Sequence, residues 1–222
     1  MTGRRRGRPL AEEVPISQPD RDREYERIVE ELFERFSGIF SRDEVVAVVE
    51  DSRARLEGTA TVGTYLPVFA QRFAKERLGS LARERGGPEK GATRLLFVCN
   101  GNAGRSQMAA AFATELGEGR QVATSAGLNP LQSVLPDVAE AMRERGIELP
   151  EAFPKPVTDD VMSAADVVVG LGVAETDLPK ARRTVLWDIP PVVDRSPDEV
   201  RAARDNIEAR VRDLLADLDA DG

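Results

Sequence analysis

Residues 95–116 read LLFVCNGNAGRSQMAAAFATEL, and the order of residue types in that stretch admits few folds. The apolar run Leu95 to Val98 has the length and composition of a buried strand, and Ser106 to Leu116, rich in Ala, has those of a helix. Asn100, Gly101, Asn102, Ala103 and Gly104 between them form a loop that carries the chain from the end of a strand to the start of a helix. Gly101, Ala103 and Gly104 put little side chain in the way. The backbone N–H groups of residues 100 to 105 can therefore turn inward as a concave nest, backed by the positive end of the helix. Such a loop is predicted to bind an anion.

The flanking residues add chemistry to that site. Cys99, the single cysteine of the chain, precedes the loop, and Arg105 and Ser106 close it. The N–H dipoles, the Arg105 guanidinium and a Ser106 hydroxyl hydrogen bond would all favour the thiolate, the nucleophilic form of cysteine. Arg105 offers a planar fork to two oxygens of a tetrahedral oxyanion. That contact strengthens as charge localises during attack by sulfur. Asn102 is expected to brace the loop through its side-chain amide. With no histidine in the chain, Cys-His and Ser-His-Asp mechanisms are excluded, and with one cysteine so are the usual N/S zinc sites within one chain. No metal and no bound cofactor are expected, and activation of Cys99 falls to the loop dipoles and Arg105. An isolated cysteine is ordinarily a small buried apolar residue. Here the strand before it, the small residues after it, the Arg-Ser pair and the helix beyond argue for the nucleophile.

Downstream, residues 121–124, 166–169 and 184–187 read as strands. They alternate with a helix predicted from Leu131 to Arg145, stopped by Gly146, and a last one capped by Ser196 and running to about Leu218. Val200, Ile207, Val211, Leu214 and Leu215 would face inward. Strands alternating with helices imply a parallel sheet with its ligand at the carboxyl ends of the strands, where Cys99 falls. Trp187 reads as core, and Glu175 and Asp177 as solvated loop residues.

Upstream, Tyr25, Ile28, Val29, Leu32, Phe33 and Phe36 recur at helical spacing. A second helix starts at Ser41, with Glu44 at capping-box spacing, and buries Val45, Val48, Val49 and Leu56. The third spans about Thr64 to Arg85, with Pro67 tolerable only in its first turn. The predicted organisation is a disordered tail over residues 1–21, a three-helix bundle over 22–85, a linker over 86–92 and an α/β domain over 93–222. A bundle of about 60 residues has a marginal core, so it should pair with a second copy or pack on its neighbour. Glu26, Glu30, Glu31 and Glu34 offset Arg23, Arg27 and Arg35, which speaks against a DNA-binding bundle, as does the net charge of −8. No run approaches the ~18 apolar residues of a membrane span. MTGRRRGRPLAEEVP lacks the apolar core of a signal peptide, which points to a cytoplasmic protein.

The segment FVCNGNAGRSQMAAAF resembles the signature loop of the low-molecular-weight protein tyrosine phosphatase superfamily, and AGRSQMAAAF resembles its arsenate reductase branch. TSAGLNP at Thr124 to Pro130, AMRERGIELPEAFPKPVT at Ala141 to Thr158 and ADVVVGLG at Ala165 to Gly172 follow in the order of that superfamily. The resemblance implies a small doubly wound four-stranded parallel sheet. It further implies that Cys99 attacks an arsenate or phosphate-type oxyanion, that Arg105 holds the oxygens, and that Asn102 and Ser106 support the loop. It also implies that the bundle is the dimerisation module found ahead of some such domains, giving a homodimer through residues 22–85.

Three departures from the family pattern shape the expected function. Thioredoxin-coupled relatives carry two further cysteines, one where this chain has Val173. With a single thiol, electrons would have to come from an external low-molecular-weight thiol such as mycothiol or glutathione, completed by a glutaredoxin-like protein. Pro191 stands where the family's general-acid Asp would be, leaving Asp188 and Asp194 on either side as candidates. Asn100 occupies a position that is often apolar. The expected function is a thiol-dependent arsenate reductase. The alternatives are a phosphomonoester phosphatase working through a phosphocysteine and a weakly catalytic oxyanion-binding protein.

Overall fold

The computed structural model describes residues 18–57, 65–87, 92–150, 152–178 and 181–220. Most of the sequence assigned to a tail, and residues 88–91 of the linker, lie outside them. Helices α1 (Gln18–Arg35), α2 (Arg42–Glu57) and α3 (Leu66–Glu84) precede an α/β unit. That unit runs β1 (Thr93–Cys99), α4 (Arg105–Leu116), β2 (Gln121–Gly127), α5 (Pro136–Arg143), α6 (Asp159–Ala164), β3 (Val167–Leu171), β4 (Arg183–Trp187) and α7 (Pro197–Ala220), with a single 3₁₀ turn at Glu175–Asp177. The sheet order is β2-β1-β3-β4, all parallel. The fold is thus the predicted four-stranded parallel sheet behind three helices.

Strand β1 shows why both faces of the sheet are covered. Its side chains alternate with period two. Leu95, Phe97 and Cys99 join Met108, Phe112, Val138, Met142, Ile207 and Val211 on one face, while Leu96 and Val98 join Ala126, Val161, Met162 and Val168 on the other. The second face is covered in part by α6, a helix that no sequence pattern announces. Trp187 is buried, its ring centroid 5.9 Å from that of Phe97.

Predicted boundaries shift at α1 and α5. Helix α1 begins at Gln18, inside the stretch assigned to the tail, and ends before Phe36. The helix predicted from Leu131 begins only at Pro136, because the preceding backbone is engaged elsewhere. Leu131 N–H donates to Gly101 O at 2.8 Å and Leu135 N–H to Ala103 O at 2.9 Å.

The bundle closes on Ile28, Leu32, Phe40, Val45, Val49 and Leu78. Its second helix opens with the predicted capping box: Ser41 N–H donates to Glu44 Oε2 at 2.8 Å, and Glu44 N–H to Ser41 Oγ at 3.3 Å. The bundle packs on the α/β unit through α3, the second of the two ways its marginal core could be completed. Arg77 spans Asp51 and Asp160 at 2.7 and 2.8 Å, and Arg83 grips Asp166 with both Nη atoms at 2.7 and 3.0 Å. The Phe69 and Phe153 rings stack at 4.9 Å. Removing one partner of a buried pair such as Arg77–Asp160 leaves an uncompensated charge, at a cost of about 3–5 kcal/mol.

These contacts give stability a pH dependence on the acid side. The Arg85 guanidinium, with the Ser41 backbone and hydroxyl, holds the Glu44 carboxyl down to about 2, against 4.5 ordinarily. Arg201 and then Arg204 do the same for Glu144, also to about 2. Burial opposes ionisation of Asp166, but Arg83 and the Arg94 N–H outweigh it and hold that carboxyl low. A carboxyl whose folded pKa is depressed stabilises the fold above its unfolded pKa and loses that contribution as pH falls through the folded one. Melting temperature is therefore expected to be level above pH 5 and to fall progressively from about pH 4.5 towards pH 2. Thermal melts across that range check it, with Glu144→Gln expected to flatten part of the slope.

Candidate active site

The strand–loop–helix stretch places Cys99 at the carboxyl end of the central strand β1 and Gly104 at the N-cap of α4. The intervening carbonyls are each held by a donor from outside the loop. Cys99 O accepts from Leu128 N–H at 3.1 Å, Asn100 O from Asn129 N–H at 2.7 Å, Gly101 O from Leu131 N–H and Ala103 O from Leu135 N–H. Asn102 O accepts from Gln107 Nε2 at 3.0 Å. Among the described residues, no backbone N–H of residues 100 to 105 donates to a backbone carbonyl outside the regular elements. The loop thus has its acceptors committed and its donors left over, as an anion cradle requires.

The Asn102 side-chain amide is hydrogen-bonded at both ends. The residue is fully buried and sits in left-handed backbone at φ 46°, a conformation asparagine tolerates better than most residues. Its Oδ1 accepts from Lys155 N–H at 2.9 Å and Gln107 Nε2 at 3.2 Å, which fixes the amide's orientation. Its Nδ2 consequently donates to Ser106 Oγ at 2.9 Å. Ser106 Oγ lies 3.0 Å from Cys99 Sγ, where its hydroxyl can donate to a thiolate. Cys99 is itself only 2 % exposed.

Arg105 is 7 % exposed, and Nη1 donates to Ile189 O at 2.9 Å. Among the described residues it forms no salt bridge, in contrast to the carboxylate-bound Arg77, Arg83 and Arg204. A nearly buried guanidinium without a carboxylate is poised for an anionic ligand. Its room comes from Gly172, at φ +61°. A Cβ there would strike Arg105 Nη1 and lie 2.6 Å from Ile189 O.

A cleft of about 600 Å³ opens beside the loop, lined among others by Asn100, Arg105, Gly172, Asp177, Asp188 and Pro191. The two carboxylates flanking Pro191 therefore separate. Asp188, exposed just beyond β4, lines the cleft, whereas Asp194, in an exposed turn at φ 55°, is not part of its lining. Asp177 rims the cleft from the 3₁₀ turn, a placement not apparent in its sequence surroundings. Nor do Gly172, Gln107, Phe153 and Lys155 stand out in the sequence as site residues. Only Gly172 leaves a signal, as a glycine directly after the apolar run of β3. No group of three or more metal-ligating side chains occurs among the described residues.

Residues 94–222 match the low molecular weight phosphotyrosine protein phosphatase family, and residues 25–82 match the protein-tyrosine-phosphatase-like N-terminal domain. A putative arsenate reductase of Halobacterium salinarum is 35 % identical over 135 residues, covering 58 % of this chain and 95 % of that protein. A glutaredoxin arsenate reductase of Synechocystis sp. is 31 % identical over 129 residues, covering 56 % and 98 %. The solved structure of a thioredoxin-dependent arsenate reductase from Corynebacterium glutamicum superposes with a TM-score of 0.79 at 32 % identity, covering 89 % of this chain and 98 % of that one.

Proposed function

Because the chain belongs to the low molecular weight phosphotyrosine protein phosphatase family, on its arsenate reductase branch, we propose that it is an arsenate reductase with Cys99 as sole nucleophile and an external thiol as reductant. The observation that carries this reading is the buried, carboxylate-free Arg105 beside a thiol hydrogen-bonded to Ser106. The Cys99 thiolate attacks arsenic and displaces one oxygen, which leaves as water after protonation. Arg105 and the loop N–H groups hold the remaining oxygens. Asp188, which lines the cleft, would supply the proton.

The single cysteine dictates the second half of the cycle. No disulfide can form within the chain, so an external thiolate displaces Cys99 from arsenic and frees the enzyme. A second thiol then attacks the sulfur of the released adduct. An S–S bond forms, and the As–S pair remains on arsenic, reducing it from the pentavalent to the trivalent state. The relatives' names divide between glutaredoxin and thioredoxin. The single thiol favours mycothiol or glutathione with a glutaredoxin-like protein, and the cycle needs a pool of reduced thiol such as the cytoplasm holds. No helix among the described residues is long and apolar enough to cross a membrane. Pairing of two copies through residues 22–85 belongs to the same proposal, supported by Tyr65 and Val68, which stand exposed at the start of α3.

The test is arsenite production from arsenate with mycothiol or glutathione plus a glutaredoxin-like protein, run beside thioredoxin alone and beside hydrolysis of an aryl phosphate. Turnover is expected in the first assay. Turnover of the aryl phosphate alone would replace the proposal with the phosphatase reading, and turnover of neither would leave an oxyanion-binding protein. Light scattering of the same preparation is expected to give twice the chain mass.

A further inference from the structure

Among the described residues, a short segment, residues 153–157, links the bundle to the anion loop. The backbone of that segment is tied to the site: Phe153 O accepts from Gln107 Nε2 at 2.9 Å, and Lys155 N–H donates to Asn102 Oδ1 at 2.9 Å. Lys155 O accepts from Gly127 N–H at 2.9 Å, and Val157 N–H donates to Gly127 O at 3.2 Å. Its side chains are tied to helix α3. The Phe153 ring stacks on Phe69, and Lys155 Nζ lies 3.2 Å from Glu76 Oε1 and 4.6 Å from the Phe153 ring centroid. Phe153 and Lys155 are both buried. The segment is a strap with the bundle on one side and Asn102, the brace of the loop, on the other.

We propose that the N-terminal bundle sets the geometry of the oxyanion loop through this strap, with Phe69 and Glu76 of α3 as positioning residues. The inference rests on the reading of the loop as an anion site. The chain of contacts runs from Glu76 and Phe69 to Lys155 and Phe153, then to Asn102 and Gln107, then to Ser106 and Cys99. Every link is a hydrogen bond, ion pair or ring stack. Displacing the strap frees the Asn102 amide to turn, and a turned amide no longer holds the Ser106 hydroxyl beside sulfur. Arg83 and Asp166 join the same two units without touching the strap, so docking and positioning can be separated.

The experiment uses the full chain and inorganic phosphate as probe, measuring how much phosphate half-protects Cys99 from iodoacetamide. In the double variant Phe69→Leu, Glu76→Gln that concentration is expected to rise about tenfold, because small misplacements in a binding constellation are costly. Phe69→Tyr, which keeps the stacked ring, should behave as wild type. Arg83→Gln should lower the melting temperature but leave phosphate protection unchanged. Should the double variant unfold at assay temperature, Glu76→Gln alone carries the test, with an increase of about threefold expected.

Wild-type protection in the double variant would overturn the proposal. So would an equal loss in Arg83→Gln, since that would make the effect one of general docking. If phosphate fails to protect even the wild type, the anion-site reading fails and the positioning role with it. Absence of arsenate turnover with protection intact would remove only the proposed activity.

Discussion

Cys99→Ser is expected to lower arsenate turnover by about 10⁴-fold or more, the scale on which removal of a nucleophile acts in other enzymes. A serine hydroxyl at this position has no histidine to take its proton, because the chain contains none. It would therefore remain a neutral alcohol, a far weaker nucleophile than a cysteine sulfur. The anion cradle itself should survive, since Arg105 and its hydrogen bond to Ile189 O are untouched. Phosphate should accordingly raise the melting temperature of Cys99→Ser about as much as that of wild type. Iodoacetamide should add one group per wild-type chain and none to the variant, because Cys99 is the only cysteine. Activity retained in Cys99→Ser would end the proposed mechanism.

Gly172→Ala is expected to cost about 10²–10³-fold in turnover, the effect of losing one preorganised donor to the transition state. The added Cβ would occupy the space of Arg105 Nη1 and Ile189 O together. The guanidinium would have to leave the position from which it holds the oxygens. The φ of +61° adds a backbone cost of about 1–2 kcal/mol for an L side chain. Gly146→Ala separates the two effects, because Gly146 has a similar φ of +75° with nothing within 4 Å of its would-be Cβ. Both variants should melt at lower temperature, and only Gly172→Ala should lose phosphate binding. Equal phosphate binding in the two would show that Arg105 does not depend on the space Gly172 leaves.

The contrast between Cys99 and Gly172 marks what the sequence could carry. Cys99, Asn102, Arg105 and Ser106 lie within eight positions of one another, and a strand, a loop and a helix in succession fix their mutual geometry. Their grouping was legible for that reason, as were the four parallel strands, which alternate with helices along the chain. Gly172 meets Arg105 only because β3 neighbours β1 in the sheet. Lys155 reaches Asn102 across 53 residues, and Phe153 reaches Gln107 across 46. Contacts at such separations leave no periodicity to read. The late start of α5 has the same origin, since Leu131 and Leu135 carry helix-compatible side chains while their backbone donors serve the loop. Which of Asp188 and Asp194 lines the cleft likewise depends on the path of the chain around Pro190 and Pro191.

Trp187, a core residue by its burial, sits where one end of it lines the cleft beside Arg105 and Asp188. It is the only tryptophan in the chain. Its emission is therefore a single-site optical gauge built into the protein, free of background from other indoles. A ligand entering the cleft and a disturbance of the Phe97 layer beneath would each be read by that one chromophore, at natural abundance and without a label.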